Sequence, residues 1–226
     1  RWRAADLHRR FGAFREANAP RRLAVEDAQM LQVGEGSYDL FAGISNQNVR
    51  WWAEIDYQFL ASGVEIKPGK TYLLPGEIKF LRSLGVKSEV GPGSPRLEVT
   101  AILWHRVDQH VVRPDYPTWA RERLDFAVTD VKFTPPDPAD PIAVSRATFT
   151  VKNNTAFSYW NVGFFVVLFD GSSIGAVNFV TISELRSGQE RQVDASWFTD
   201  LPGVSRVEVT PEVNIFDDRS YIPPGR

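Results

Sequence analysis

Cysteine is absent from the 226-residue chain. That excludes disulfides, Cys-ligated zinc and thiol nucleophiles together, but it leaves an exported location open, because many exported bacterial proteins do without disulfides. Histidine is scarce: only His8, His105 and His110 occur. His105 and His110 flank Asp108 at an expected strand end, and no second cluster supports a metal site there. Long apolar runs are missing. A spanning helix needs roughly 20 such residues, and the run from Val162 to Phe169 has eight. There is no excess of positive charge either. A net charge of −2 and a pI of about 6.0 give the whole chain no nucleic-acid footprint.

What is present is a core-forming composition, 43% hydrophobic and 12% aromatic, with its charge unevenly spread. Residues 1–22 hold seven arginines against Asp6 and Glu16, a net of +5, which leaves −7 for the remainder. Within this basic segment Ala4, Leu7, Phe11 and Phe14 fall at helical spacings, so a short amphipathic helix is predicted over 3–17 and stopped by Pro20. Its stripe suits a membrane-proximal helix continuing an upstream anchor, docking on the following domain, pairing with another helix, or lying on an anionic membrane. With a start at Arg1 rather than Met, a preceding segment is expected.

Beyond residue 22 the texture becomes all-β. Short runs rich in Val, Ile, Phe, Tyr, Trp and Thr alternate with Gly, Pro, Asn and Asp every 8–12 residues or so. A long internal repeat runs through them. "AVEDAQM" (24–30) matches "AVTDVKF" (127–133). Phe41, Asn46, Trp52, Tyr57, Leu60 and Gly63 match Phe149, Asn154, Trp160, Phe165, Leu168 and Gly171 at an offset of 108. "LPGE" (74–77) matches "RSGQ" (186–189), and "RLEVT" (96–100) matches "RVEVT" (206–210). The period is that of an immunoglobulin-like sandwich of about 100 residues. The predicted fold is therefore all-β: two tandem immunoglobulin-like β-sandwiches behind a short N-terminal amphipathic helix. The expected boundaries are 1–22 for the helix, 23–108 for the first sandwich, 109–123 for a short linker, 124–216 for the second sandwich and 217–226 for a fraying tail. Strands are expected at about 125–133, 144–152, 161–170, 174–181, 190–197 and 205–215 in the second sandwich. Tyr116 and Trp119 in the linker are expected to pack into the junction.

The second repeat resembles the FxLYD-type immunoglobulin-like modules of bacterial exported proteins. The resemblance is carried by "VKNNT" (151–155), Val162, "VVLFDG" (166–171), "IG" (174–175) and "LRSGQE" (185–190). Val166 stands where the family has its first Phe, and Phe169 where it has Tyr. It covers roughly 145–195 and reaches the first repeat, where "QFLAS" (58–62) lacks the Asp, only through the internal match. The resemblance implies non-catalytic, extracytoplasmic modules tethered behind one N-terminal membrane helix. Such a helix is not within this sequence.

Chemistry-bearing patterns have bland explanations. "GSSIG" (171–175) fits a nucleophile elbow, but it lies between two expected strands rather than strand and helix. All three histidines precede Ser173, against hydrolase order, so a hairpin turn is expected. Asp137 and Asp140 sit in the stiff loop "PPDPADP", without the oxygen count calcium needs. Glu54, Glu98 and Glu208 alternate with apolar neighbours and read as outward-facing strand residues. The sequon Asn153-Asn154-Thr155 is a turn. Repeat equivalence predicts Trp52 and Trp160 as core fillers. Trp51 and Tyr159 should then face outward as a candidate contact surface, joined by Trp119. The functional expectation is a non-catalytic cell-envelope protein, outside the cytoplasm and membrane-anchored, binding a protein partner, with no cofactor and no nucleic acid. The alternative is a carbohydrate-binding module or the accessory domain pair of an envelope enzyme complex.

Overall fold

The computed structural model describes residues 19–62, 66–89, 91, 93–139, 144–199, 201 and 203–225. The expected helix at 3–17, Gly63 and Asp140 lie outside them. The β-branched and aromatic runs form antiparallel strands. In the first half these are β1 (Ala24–Val25), β2 (Gln29–Gly34), β3 (Ser37–Ser45), β4 (Trp51–Leu60), β5 (Gly69–Leu73), β6 (Ile78–Lys87) and β7 (Arg96–Arg106). In the second half they are β8 (Phe126–Thr134), β9 (Ser145–Asn153), β10 (Tyr159–Asp170), β11 (Ser173–Leu185), β12 (Glu190–Trp197) and β13 (Arg206–Glu212). These match the expected strands to within a few residues.

Both halves pair their strands in the same order. In the first, β3 lies between β6 and the broken edge β1/β2, and β4 lies between β5 and β7. In the second, β9 lies between β8 and β12, and β10 between β11 and β13. Each half encloses a core between its two sheets. Leu40, Ala42 and Ile44 of β3 meet Ile55, Tyr57 and Phe59 of β4. Ala147, Phe149 and Val151 of β9 meet Phe164, Val166 and Leu168 of β10.

These side-chain directions shift the repeat by one residue. Phe149 fills its own core, whereas Phe41 points the other way, into a third apolar cluster. The offset of 108 therefore pairs residues on opposite faces of β3 and β9. Because strand side chains alternate, a one-residue slip inverts every face. The polar turns set the register. Asn46 Nδ2 donates to Trp51 O (2.7 Å) and Leu74 O (3.0 Å), and its Oδ1 accepts from the Asn48 N–H. Asn153 Nδ2 likewise donates to Phe157 O at 2.8 Å, and its Oδ1 accepts from the Thr155 N–H. Asn46 thus corresponds to Asn153 and not to Asn154. The turn segments at 74–77 and 186–189 hold as aligned. Both "LPGE" and "RSGQ" form turns with glycine at φ +72, and the fourth side chain accepts from the first backbone N–H.

The eight-residue apolar run is β10, buried on both faces. Val162, Phe164, Val166 and Leu168 fill the second core. Phe165, Val167 and Phe169 pack against Phe41, Leu31, Phe80 and Leu84 of the first half. The two halves thus share an apolar seam.

The linker and tail depart from expectation. Residues Tyr116–Leu124 form a helix, α1, capped by Asp115, whose Oδ1 accepts from the Thr118 N–H at 2.9 Å. Asp at the N-cap and Pro117 in the first turn are its local signals. The helix is too short to show a periodic stripe. Tyr116 and Trp119 pack into the junction as expected. The residues after β13 do not fray. Val213, Ile215 and Ile222 are buried, and Asp218–Ser220 form a 3-10 turn.

Candidate functional site

The junction is the most elaborately built part of the molecule. Arg82 of β6 extends its guanidinium to Glu212 of β13 in a two-pronged pair, 2.9 and 3.0 Å, with both side chains largely buried. The same guanidinium lies 3.6 Å over the ring of Phe179. Gly163 makes room for that ring, since a Cβ there would collide with it. Glycine in β10 is therefore part of the seam.

Beside this pair sits a charged nest. Lys79 is 4% exposed and lies over the ring of Tyr72, 3.6 Å from its centroid and 4.0 Å from Glu77. Burial lowers the Lys79 pKa and raises that of Glu77, whose Oε2 accepts from the Leu74 N–H at 2.6 Å. Burial also raises the Tyr72 phenol well above its ordinary range.

A ladder of rings then runs across the junction. His105 stacks on Trp52 at 4.1 Å, and Trp52 on Phe216 at 5.1 Å. Phe216 stacks on Trp119 at 5.0 Å. Arg123 lies between the faces of Trp119 and Phe157, at 4.1 and 4.4 Å. An open recess of about 620 Å³ lies against the far end of this ladder, with Trp119, Phe157, Tyr221 and Ile222 as apolar wall and Val111 and Arg123 at its sides. The chain's own Pro223 and Pro224 close one flank.

Of the three expected contact residues, the structure corrects two. Tyr159 is fully buried, and its hydroxyl donates to Arg123 O at 2.7 Å. Burial raises its phenol pKa. Tyr159, not Trp160, is the aromatic that fills the core; Trp160 is only half-buried. Trp52, expected as core filler, lies in the ring ladder outside the first core. Trp119 is 7% exposed and is consumed by the junction, contributing only to the wall of the recess. Trp51 is half-buried and lines a separate recess with Arg21, Arg50 and Arg106. The face inversion has the same cause as the repeat error: one residue of register.

The remaining candidates fall as their neighbours dictate. Ser173 pairs with Asp170 across the β10–β11 hairpin, with Gly171 at φ +58 in the turn. Asp108 Oδ1 accepts from the His110 N–H within one loop, and Asp137 Oδ1 does the same for Ala139. Among the described residues no group of three or more His, Asp or Glu is placed to hold a metal. Glu54, Glu98 and Glu208 are exposed, with Glu54 standing 3.2 Å from His105 Nε2. No helix among the described residues is long and apolar enough to cross a membrane. Sequence reasoning missed Phe216, Arg123 and Phe157 as a connected group, since their contacts join segments far apart in the chain.

No family model matches the chain, and no curated protein matches it. Among solved structures, red sea bream transglutaminase is similar at 12% identity and a TM-score of 0.21, over 94% of this chain and 32% of that one. The N-terminal tandem CBM22 domains of Paenibacillus barcinonensis Xyn10C are similar at 10% identity and a TM-score of 0.14, over 87% of this chain and 85% of that one.

Proposed function

We propose that the chain is a non-catalytic, extracytoplasmic pair of tandem immunoglobulin-like domains of the FxLYD type, tethered to the cell envelope and presenting a protein-binding surface. The supporting observation is the junction: a shared apolar seam and a buried Arg82–Glu212 pair fix two sandwiches as one platform. A fixed platform lowers the entropic cost of binding a partner across both domains. The recess beside Trp119 and Phe157 supplies aromatic anchoring area with an arginine beside it, the composition enriched at protein interfaces.

A photo-crosslinking residue at Val111, which is 65% exposed, tests this in native membranes. The reading expects a discrete adduct of higher mass from Val111 and none from the exposed control position Val131. No adduct from either position, or the same smear from both, would count against it. Location is tested separately by protease access in spheroplasts of cells producing the full-length protein. The carbohydrate-binding alternative loses one of its two aromatics, because Tyr159 is buried.

A further inference from the structure

The recess beside Trp51 lies at the end of the first half where the chain enters from its arginine-rich segment: Ala19 and Arg21 line it together with Val49, Arg50, Trp51 and Arg106. We propose that this end of the molecule is a contact surface for an anionic membrane, with Arg21, Arg50 and Arg106 reading lipid phosphates and Val49 and Trp51 entering the headgroup layer.

Three observations carry this. The first is unspent charge. Arg21, Arg50 and Arg106 are exposed. Among the described residues none of them joins an ion pair. Two acidic residues are close by: Asp115 lines a neighbouring recess that shares Val49 and Arg50, and Asp108 follows Arg106 by two residues. Asp108 is turned back on the His110 N–H and Asp115 on the Thr118 N–H.

The second is an exposed aliphatic tip among the cations. Val49 is 71% exposed, one of the most exposed large hydrophobic side chains among the described residues. A half-buried tryptophan beside it has the amphipathic character that suits a membrane interface. Apolar tips of this kind favour a lipid surface over a nucleic-acid backbone, which would use the arginines alone.

The third is that the patch is built, not draped. The Arg21 N–H donates to Asn48 Oδ1 at 2.7 Å, and Asn48 Nδ2 donates back to Arg21 O at 2.9 Å. Asn48 is in turn held by Asn46, which also binds Trp51 O. The asparagine pair thus fixes the entering segment at Arg21, the loop and the tryptophan together. The corresponding loop of the second half, 154–158, reads Asn-Thr-Ala-Phe-Ser and carries no charge, so the fold itself does not demand arginine here.

This surface rests on the membrane-tethered reading only for its setting, and the two separate experimentally. The purified full chain is floated with vesicles of phosphatidylcholine containing 30% phosphatidylglycerol or none, at low and high salt. Binding to the anionic vesicles alone, weakened by salt, is expected. Each basic residue at such a surface adds roughly a factor of five, so Arg21→Gln/Arg50→Gln/Arg106→Gln weakens binding on the order of a hundredfold. Val49→Ser weakens it several-fold with the charge of the patch unchanged. Changing Arg1, Arg3, Arg9, Arg10 and Arg15 to Gln leaves the salt-sensitive binding measurable. The proposal is overturned if the triple variant binds as the parent does, if only the N-terminal glutamines abolish binding, if no anionic vesicle binds, or if a DNA duplex binds more tightly than the vesicles. Carbonate extraction of cell membranes tests the tether alone: release by carbonate with intact vesicle binding sinks the tether and keeps the surface, and the reverse result does the opposite.

Discussion

Strands β4 and β10 hold the same place in their halves, each central to a three-stranded sheet, yet their outer faces differ completely. Asp56 of β4 corresponds to Phe165 of β10 once the register is set by Tyr57 opposite Val99 and Val166 opposite Val209. Asp56 pairs at the surface with Lys70. Phe165 is 2% exposed, under Phe80 of the other half. The sandwich needs only one apolar face on this strand. The second face is an interface requirement, and it explains why "NVGFFVVLFDG" loses the polar alternation that "AEIDYQF" retains.

That contrast is broken most strongly at Phe165. Truncation to Ala removes a buried ring and leaves a cavity in the seam, with an expected loss of about 3–4 kcal/mol. Asp56→Ala should change stability by less than about 0.5 kcal/mol, because its ion pair is exposed. Urea unfolding of the two variants checks this, and equal effects would contradict the assignment of faces.

Next comes Glu212→Ala, which strands the Arg82 guanidinium against Phe179. A loss of about 3 kcal/mol is expected, and Arg82→Met/Glu212→Met should recover much of it. A third comparison uses the turns. Asn46→Ala and Asn153→Ala each leave backbone carbonyls without a donor and should cost similar amounts, about 2 kcal/mol. A large inequality would mean the turns are not equivalent.

Asp115→Ala removes the helix cap and should cost about 1 kcal/mol, read by thermal unfolding. The smallest effect concerns pH. Asp39 is buried in β3, where it accepts from the Gly85 N–H at 2.8 Å, and burial raises its pKa. The folded state therefore holds the proton more tightly than the unfolded chain. That contribution is present below the ordinary value of 3.8 and is lost as pH rises through the raised value. Asp39→Asn should therefore gain on the parent as pH rises past 4, with no such trend for Arg146→Gln, its exposed counterpart in β9.

The strands of the second half were legible because alternation and turn residues are local signals, whereas their pairing order joins distant segments and was not. "LPGE" and "RSGQ" align correctly since their glycines and capping side chains face the same geometric demand. The face of each aromatic was not legible. Tyr159 and Trp160 are adjacent, both are large, and one residue of register decides which fills the core. Helix α1 carried a capping signal in Asp115 and Pro117, but its single buried turn gives no stripe. Phe216 gave no sign of its role because its ring partners, Trp52 and Trp119, lie about a hundred residues and more away in sequence.

The central claim is that β10 locks the two halves into one unit through its second face. Calorimetric unfolding of the intact chain tests it most directly. A single cooperative transition with equal calorimetric and van't Hoff enthalpies is predicted, splitting into two when Phe165→Glu opens the seam. Two separate transitions in the unaltered chain would contradict it.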